Sequence, residues 1–267
     1  MELAGYLASF LVGISLGLVG GGGSILMVPV LVYLFGITPV SATAYSLFVV
    51  GATSLVGAIP KIKQDLVSFR TALIFGAPSI VAVFLTRKYL VPAIPDVVLR
   101  WDPILVTRST FLMLLFGMIM TAAAVSMLTG RECVDCEENE QQRFRVPLIV
   151  LEGILVGTLT GLVGAGGGFL IIPALVKLSK LSMKKAVGTS LVIIAAKSLI
   201  GFSGDVHAGA ATIDYRLLVS VTALAVLGIL AGNGVSKKVD GEKLKRGFGW
   251  MVLIMGIYIV IAEANGL

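Results

Sequence analysis

A lysine lies in the middle of an apolar segment of this chain. Its sequence separation from nearby serine residues places it on the same helix face as a hydroxyl group. Ser190, Lys197 and Gly201 are seven and four residues apart, so they share one face of a helix. A lysine near the bilayer centre costs about 2.5–3.5 kcal/mol on insertion scales, and such a residue usually faces a cavity or a binding partner. No acidic residue is close to Lys197 in the sequence, so an anionic ligand is the predicted partner. A side chain that extends toward one membrane surface is the alternative.

A glycine-rich motif is the second feature that could bind a ligand, and it occurs twice, 144 residues apart. The first copy reads GLVGGGGSILMVP from Gly17, and the second reads GLVGAGGGFLIIP from Gly161. Glycines that interrupt a membrane helix leave the first N–H groups of the next helix without intrahelical acceptors. Such a helix start attracts anions, and glycine lets a ligand approach the backbone. Close packing of helices through small residues is the alternative reading.

Hydroxyl residues at matched positions of the two copies extend this pattern along the next helix. Their alternative role is a hydrogen bond to a carbonyl of their own helix. The predicted substrate site consists of Gly20, Gly21, Gly22, Gly23, Ser24, Ser46, Thr53, Gly164, Gly166, Gly167, Gly168, Thr189, Ser190, Lys197 and Ser198.

The composition identifies the environment in which these residues must be positioned. The chain has 267 residues, of which 57% are hydrophobic and 13% are charged, and its mean hydropathy is +1.01. A soluble domain could not cover its surface with so few charges, and several apolar runs are long enough to span a bilayer as helices. The sequence therefore predicts an all-α polytopic membrane protein with no cleaved signal peptide. The net charge of +6 is explained by basic loops and requires no nucleic-acid partner.

The duplication divides the chain into a first transmembrane repeat (1–129), a polar cytoplasmic linker (130–146) and a second transmembrane repeat (147–267). Residues 89–106 are rich in proline and are predicted to form a surface excursion. The linker carries Cys133 and Cys136, which are read as two loop thiols, with an intersubunit metal or redox clip as the alternative. Five helical elements are predicted in each repeat, at 3–20, 24–36, 40–59, 69–88 and 107–129, and at 147–164, 168–180, 185–203, 213–235 and 247–264.

The distribution of basic residues predicts the orientation of these elements. Most lysines and arginines fall on one side, which is cytoplasmic by the positive-inside rule, so both termini are predicted on the non-cytoplasmic side of the cell membrane. Because five is an odd number, the second repeat enters the membrane from the opposite side. Inverted repeats of this kind are the basis of alternating access in many transporters.

The doubled motif resembles the sulfite exporter TauE/SafE family of membrane transport proteins. The resemblance rests on the glycine motifs at Gly13–Pro29 and Gly157–Pro173, on the A-x-G-T-S-L segment at Ala186–Leu191, and on the repeat spacing over nearly the whole chain. It implies transport of sulfite, sulfonates or other sulfur-containing anions, without selecting among them.

The function predicted from these features is secondary transport of a small sulfur-containing oxyanion by alternating access. A cation or other-ion transporter or channel that uses broken-helix ends is the alternative. A single histidine and the absence of HExxH and GxSxG motifs argue against an enzyme. No cofactor and no metal are expected. The predicted partners are the anionic substrate and the lipid bilayer, and the oligomeric state, including a homodimer, stays open.

Overall fold

The computed structural model describes residues 2–101, 104–129, 146–164, 166–177, 181–207, 214–235 and 241–265. These residues are almost entirely helical, which confirms the predicted all-α membrane fold. Most of the linker, including Cys133 and Cys136, lies outside the described residues.

The described helices follow the predicted order of five elements before the linker and five after it. The second element, α2, is a 3-10 turn (Gly21–Leu26), a short α-helical segment (Met27–Pro29) and a π-helical turn (Val30–Leu34). The others are α1 (Glu2–Val19), α3 (Pro39–Lys63), α4 (Phe69–Ala93), α5 (Arg108–Thr129), α6 (Val146–Val163), α7 (Gly168–Lys177), α8 (Met183–His207), α9 (Tyr215–Val235) and α10 (Gly241–Asn265).

The segment predicted as a surface excursion forms a short β-hairpin after α4. Strand β1 (Val97–Trp101) pairs antiparallel with β2 (Ile104–Thr107). An ion pair of 2.8 Å between Arg108 Nη2 and Asp96 Oδ1 ties the hairpin to the start of α5. These strands are not predicted from the sequence, because their run of valine, leucine and isoleucine lies between a proline-rich stretch and an apolar helix.

Five of the described helices are long and apolar enough to cross a membrane, namely α3, α4, α5, α8 and α9. In α3 and α8, 72% and 67% of the most apolar window is buried inside the protein, compared with 39%, 39% and 33% in the other three. The helices α3 and α8 therefore form the centre of the fold, and the others turn more of their apolar surface outward, as lipid-facing helices do.

The helices of the two repeats pack in an exchanged arrangement. Helix α1 packs against α9, while its repeat-equivalent α6 packs against α4; α3 packs against α8, and α5 against α10. Glycines allow the closest of these contacts, since Gly13 lies on the backbone of Ala225 and the equivalent Gly157 lies on the backbone of Ser79. A cluster of buried hydrophobic residues consequently draws on both repeats, with Val12 and Tyr45 from the first and Ile194 and Val221 from the second.

The two short elements differ in how they begin. Helix α7 starts as an α-helix at Gly168, close to the predicted position. Element α2 starts at Gly21, three residues before the predicted start at residue 24, and its first turn is a 3-10 turn. A 3-10 turn aligns its N–H groups less favourably, so the two glycine motifs present different helix starts.

Candidate functional site

The two glycine runs meet at the centre of the fold. We define the first run as Gly20, Gly21, Gly22 and Gly23, and the second as Gly164, Gly166, Gly167 and Gly168. A side-chain carbon added at Gly21 would fall on the backbone of Gly168, and one added at Gly168 would fall on the backbone of Gly21. The runs therefore touch backbone to backbone.

Left-handed backbone conformations explain why glycine is needed at several of these positions. The repeat-equivalent Gly20 and Gly164 have φ angles of 74° and 73°. In the second run Gly166 (63°) and Gly167 (71°) are also left-handed, and helix α7 begins directly after them. Residues with a Cβ rarely adopt such angles, so the second run forms a longer left-handed turn than the first.

Lys197 is fully buried and lies against the second run. Its side chain is 1% exposed, and its Nζ atom donates a hydrogen bond of 3.0 Å to Thr160 Oγ1 on α6. A side-chain carbon at Gly167 would lie only 2.7 Å from Nζ, so the absence of a side chain there makes room for the ammonium group. Within the described part of the chain, no carboxylate oxygen lies within 4 Å of Nζ. The cation thus has one neutral acceptor and no counter-charge among these residues.

Three of the predicted hydroxyl residues are buried without a hydrogen-bond partner among the described residues: Ser46, Thr53 and Ser198. Ser198 Oγ lies beside Gly166, where an added side-chain carbon would be 3.3 Å away. Ser46 and Thr53 share one face of α3 with Val50, which also contacts Gly166. These hydroxyl groups are available to bind a ligand.

Three other predicted residues use their hydroxyl groups within the fold. Ser24 Oγ donates to the carbonyl of Gly21 (2.7 Å), and Ser190 Oγ donates to the carbonyl of Val187 (2.8 Å). Thr189 Oγ1 accepts a hydrogen bond from the backbone N–H of Ser68 (2.9 Å), just before α4 begins. Ser24 and Ser190 thus make the alternative bond to a carbonyl of their own helix. Thr189 does not, because its partner N–H belongs to the segment before α4.

The first run is bordered mainly by apolar groups. Gly20 lies against Val187, Gly21 also contacts Ile194, and Gly23 packs on the backbone of α1 near Leu16. Close helix packing accounts for these glycines. The polar side chains are concentrated at the second run.

Arg87 is a second buried cation at this site and is not among the site residues predicted from the sequence. It is 1% exposed in α4, and its Nη1 atom lies 3.4 Å from Asp205 Oδ2 and donates to Thr43 Oγ1 at 3.0 Å. A side-chain carbon at Gly164 would lie 2.6 Å from Arg87 Nη2. One feature of the sequence indicates this pair: an arginine and an aspartate, Arg87 and Asp205, each lie in an apolar segment, and the two segments belong to different repeats.

The second run is thus flanked by two buried cations, Arg87 at Gly164 and Lys197 at Gly167. A profile of the sulfite exporter TauE/SafE family matches residues 6–259. The chain belongs to this family. The membership confirms the predicted resemblance and identifies a multi-pass membrane transporter, not an enzyme.

Similar proteins in bacteria and archaea carry matching descriptions. The chain is 30% identical to a probable membrane transporter protein of Xylella fastidiosa, over 94% of this chain and 91% of that protein. It is 29% identical to a probable membrane transporter protein of Bacillus subtilis (95% and 98% coverage) and 24% identical to one of Methanocaldococcus jannaschii (96% and 94%). No solved structure matches this TauE/SafE chain.

Proposed function

We propose that this TauE/SafE protein is a secondary transporter that moves a small sulfur-containing oxyanion, of the sulfite or organosulfonate class, across the cytoplasmic membrane. The observation that carries the proposal is the fully buried Lys197, which lies against Gly167 with no carboxylate beside it in the described part of the chain. A bound anion would supply the missing counter-charge.

The energetics of a buried ammonium support this assignment. A charge removed from water is costly unless it is paired and hydrogen-bonded. The single hydrogen bond from Lys197 to Thr160 satisfies one of its three N–H groups. An oxyanion seated at the second run would accept hydrogen bonds from Lys197 Nζ and from the unpaired hydroxyl of Ser198.

The arrangement of the repeats supports transport by alternating access. Helices α1 and α6 each pack on the fourth helix of the other repeat, and α3 and α8 pack on each other. We propose that the repeats are inverted, since each contributes five elements. Rocking of one set of helices against the other would then expose the region around Gly21 and Gly168 to either side in turn.

The proposed inverted repeats also imply an orientation in the membrane. Because each repeat has an odd number of elements, the two repeats start on opposite sides. We expect both termini on the non-cytoplasmic side and residues 130–146 in the cytoplasm. An epitope tag placed at either terminus should be accessible to antibody in spheroplasts, in which the cytoplasmic membrane is intact and its outer face is exposed. A tag inserted in the linker is the matched control and should be protected. The reverse pattern would contradict the orientation.

Reconstituted transport tests the function directly. Purified protein in liposomes should move sulfite or methanesulfonate down a concentration gradient, and the flux should respond to a potential imposed with potassium and valinomycin. Liposomes containing the Gly234→Ala variant are a suitable positive control, since this glycine has open space around it. Flux of Na⁺, or of K⁺ in liposomes without valinomycin, in the absence of any anion flux would overturn the proposal and favour the cation transporter or channel.

A further inference from the structure

The buried ion pair between Arg87 and Asp205 lies beside the proposed anion site. The proposed anion binding at Lys197 does not rest on this pair, so its role is a separate question. The two residues join opposite repeats, Arg87 from α4 and Asp205 from α8, and both are at most 4% exposed in their side chains. Arg87 faces Gly164 and Lys197 faces Gly167, so both cations border the same glycine turn.

We propose that this pair sets the net charge of the site to +1, and that the transporter therefore selects monoanions such as bisulfite and sulfonates over dianions such as sulfate and thiosulfate. This inference rests on the proposed function and specifies its substrate class. Arg87 and Lys197 contribute two positive charges, and Asp205 removes one of them. A monoanion then leaves a neutral site, whereas a dianion leaves an uncompensated negative charge.

Asp205 cancels the charge of Arg87 but leaves hydrogen-bond donors for a ligand. The ion pair and the bond to Thr43 both use Nη1. The Nε and Nη2 atoms of Arg87 are buried and have no hydrogen-bond partner among the described residues. A guanidinium presents such N–H groups as a planar fork that suits the oxygens of an oxyanion. Arg87 is thus placed to orient a substrate without adding to the net charge.

Two other acidic residues of the described helices, Glu152 and Glu263, do not contribute to this net charge. Glu152 lies eight residues before Thr160 on α6, a distance of about 12 Å along a helix. Glu263 on α10 accepts a hydrogen bond from Tyr33, which belongs to α2. The low dielectric of the protein interior makes the difference between one and two ligand charges large at the site itself.

The position in the second repeat that corresponds to Arg87 carries a neutral polar side chain. The pairs Gly13–Ala225 and Gly157–Ser79 align α9 with α4 at an offset of 146 residues, which makes Asn233 the counterpart of Arg87. Asparagine is therefore a reasonable replacement for Arg87, and it is also the neutral isostere of Asp205. Two variants follow: Asp205→Asn, which raises the site charge to +2, and the double variant Arg87→Asn with Asp205→Asn, which restores +1.

Binding of methanesulfonate and sulfate to the purified full chain tests the inference, because these anions have similar tetrahedral shapes but charges of −1 and −2. Titration calorimetry should show methanesulfonate binding at least about tenfold more tightly than sulfate in the unmodified protein. In Asp205→Asn the ratio should move at least about tenfold toward sulfate. The double variant lacks the free Arg87 donors and should bind both anions more weakly, but its ratio should return to the original value because the site charge is again +1.

The outcomes separate the two proposals. Sulfate binding as tight as methanesulfonate binding in the unmodified protein would overturn the charge selectivity, even if the variants fail to fold, and would leave anion transport standing. An unchanged ratio in folded Asp205→Asn would also overturn it. Binding of neither these anions nor sulfite would overturn the proposed function together with this inference.

Discussion

Replacement of Lys197 by methionine should weaken the binding of sulfite or methanesulfonate by about tenfold to a hundredfold, with a corresponding loss of flux. A hydrogen bond to a charged group contributes about 1.5–3 kcal/mol, which corresponds to this range. Methionine has a similar length and is compatible with the buried surroundings of Lys197, so the fold should persist. Titration calorimetry on the purified protein measures the affinity, and thermal unfolding measures whether the protein is still folded.

Two further variants test whether the charge of Lys197 is the cause of the lost affinity. Lys197→Arg should retain part of the affinity, because the positive charge stays although the shape differs. Ser190→Ala should change the affinity little, since this hydroxyl on the same helix already donates to the carbonyl of Val187. If folded Lys197→Met binds the anion as tightly as the unmodified protein, Lys197 is a structural lysine and the observation behind the proposed function is lost.

The Gly167→Ala variant should also lose anion binding and transport, for a steric reason. The added methyl group would lie 2.7 Å from Lys197 Nζ and would collide with the side chain of Thr160, so the ammonium group would have to move. The φ angle of 71° adds backbone strain of about 1–2 kcal/mol. We expect at least about a tenfold loss in affinity, measured by the same titration.

Gly36→Ala is the matched control for the strain in this variant. Gly36 has a φ angle of 67°, but an added side-chain carbon there has no atom within 4 Å. It should lower the thermal stability by a similar strain and leave anion affinity unchanged. Equal losses of affinity in Gly36→Ala and Gly167→Ala would show that strain alone causes the effect, and would contradict a role for Gly167 in placing Lys197.

The membrane class, the order of the helices and the two glycine motifs could be read from the sequence, because they depend on local properties. Long apolar runs require helices in a bilayer, and glycine and proline mark where those helices break. Lys197 stood out for the same reason, since a lysine in an apolar helix is costly wherever that helix lies. The hairpin at 97–107 and the 3-10 start of α2 were missed because short apolar segments carry weak periodicity.

The composition of the candidate site depended on which helices pack together, and sequence spacing within one helix contains little of that information. Ser190 and Ser198 looked alike in the sequence, yet the first bonds to its own helix and the second lies unpaired beside Gly166. Arg87 and Asp205 belong to opposite repeats and meet because α4 packs against α8. The hydrophobic pattern that places each helix in the membrane is set residue by residue, whereas the charge balance around the second run is set by contacts between α4, α6 and α8. Those contacts arise only when the whole chain has folded.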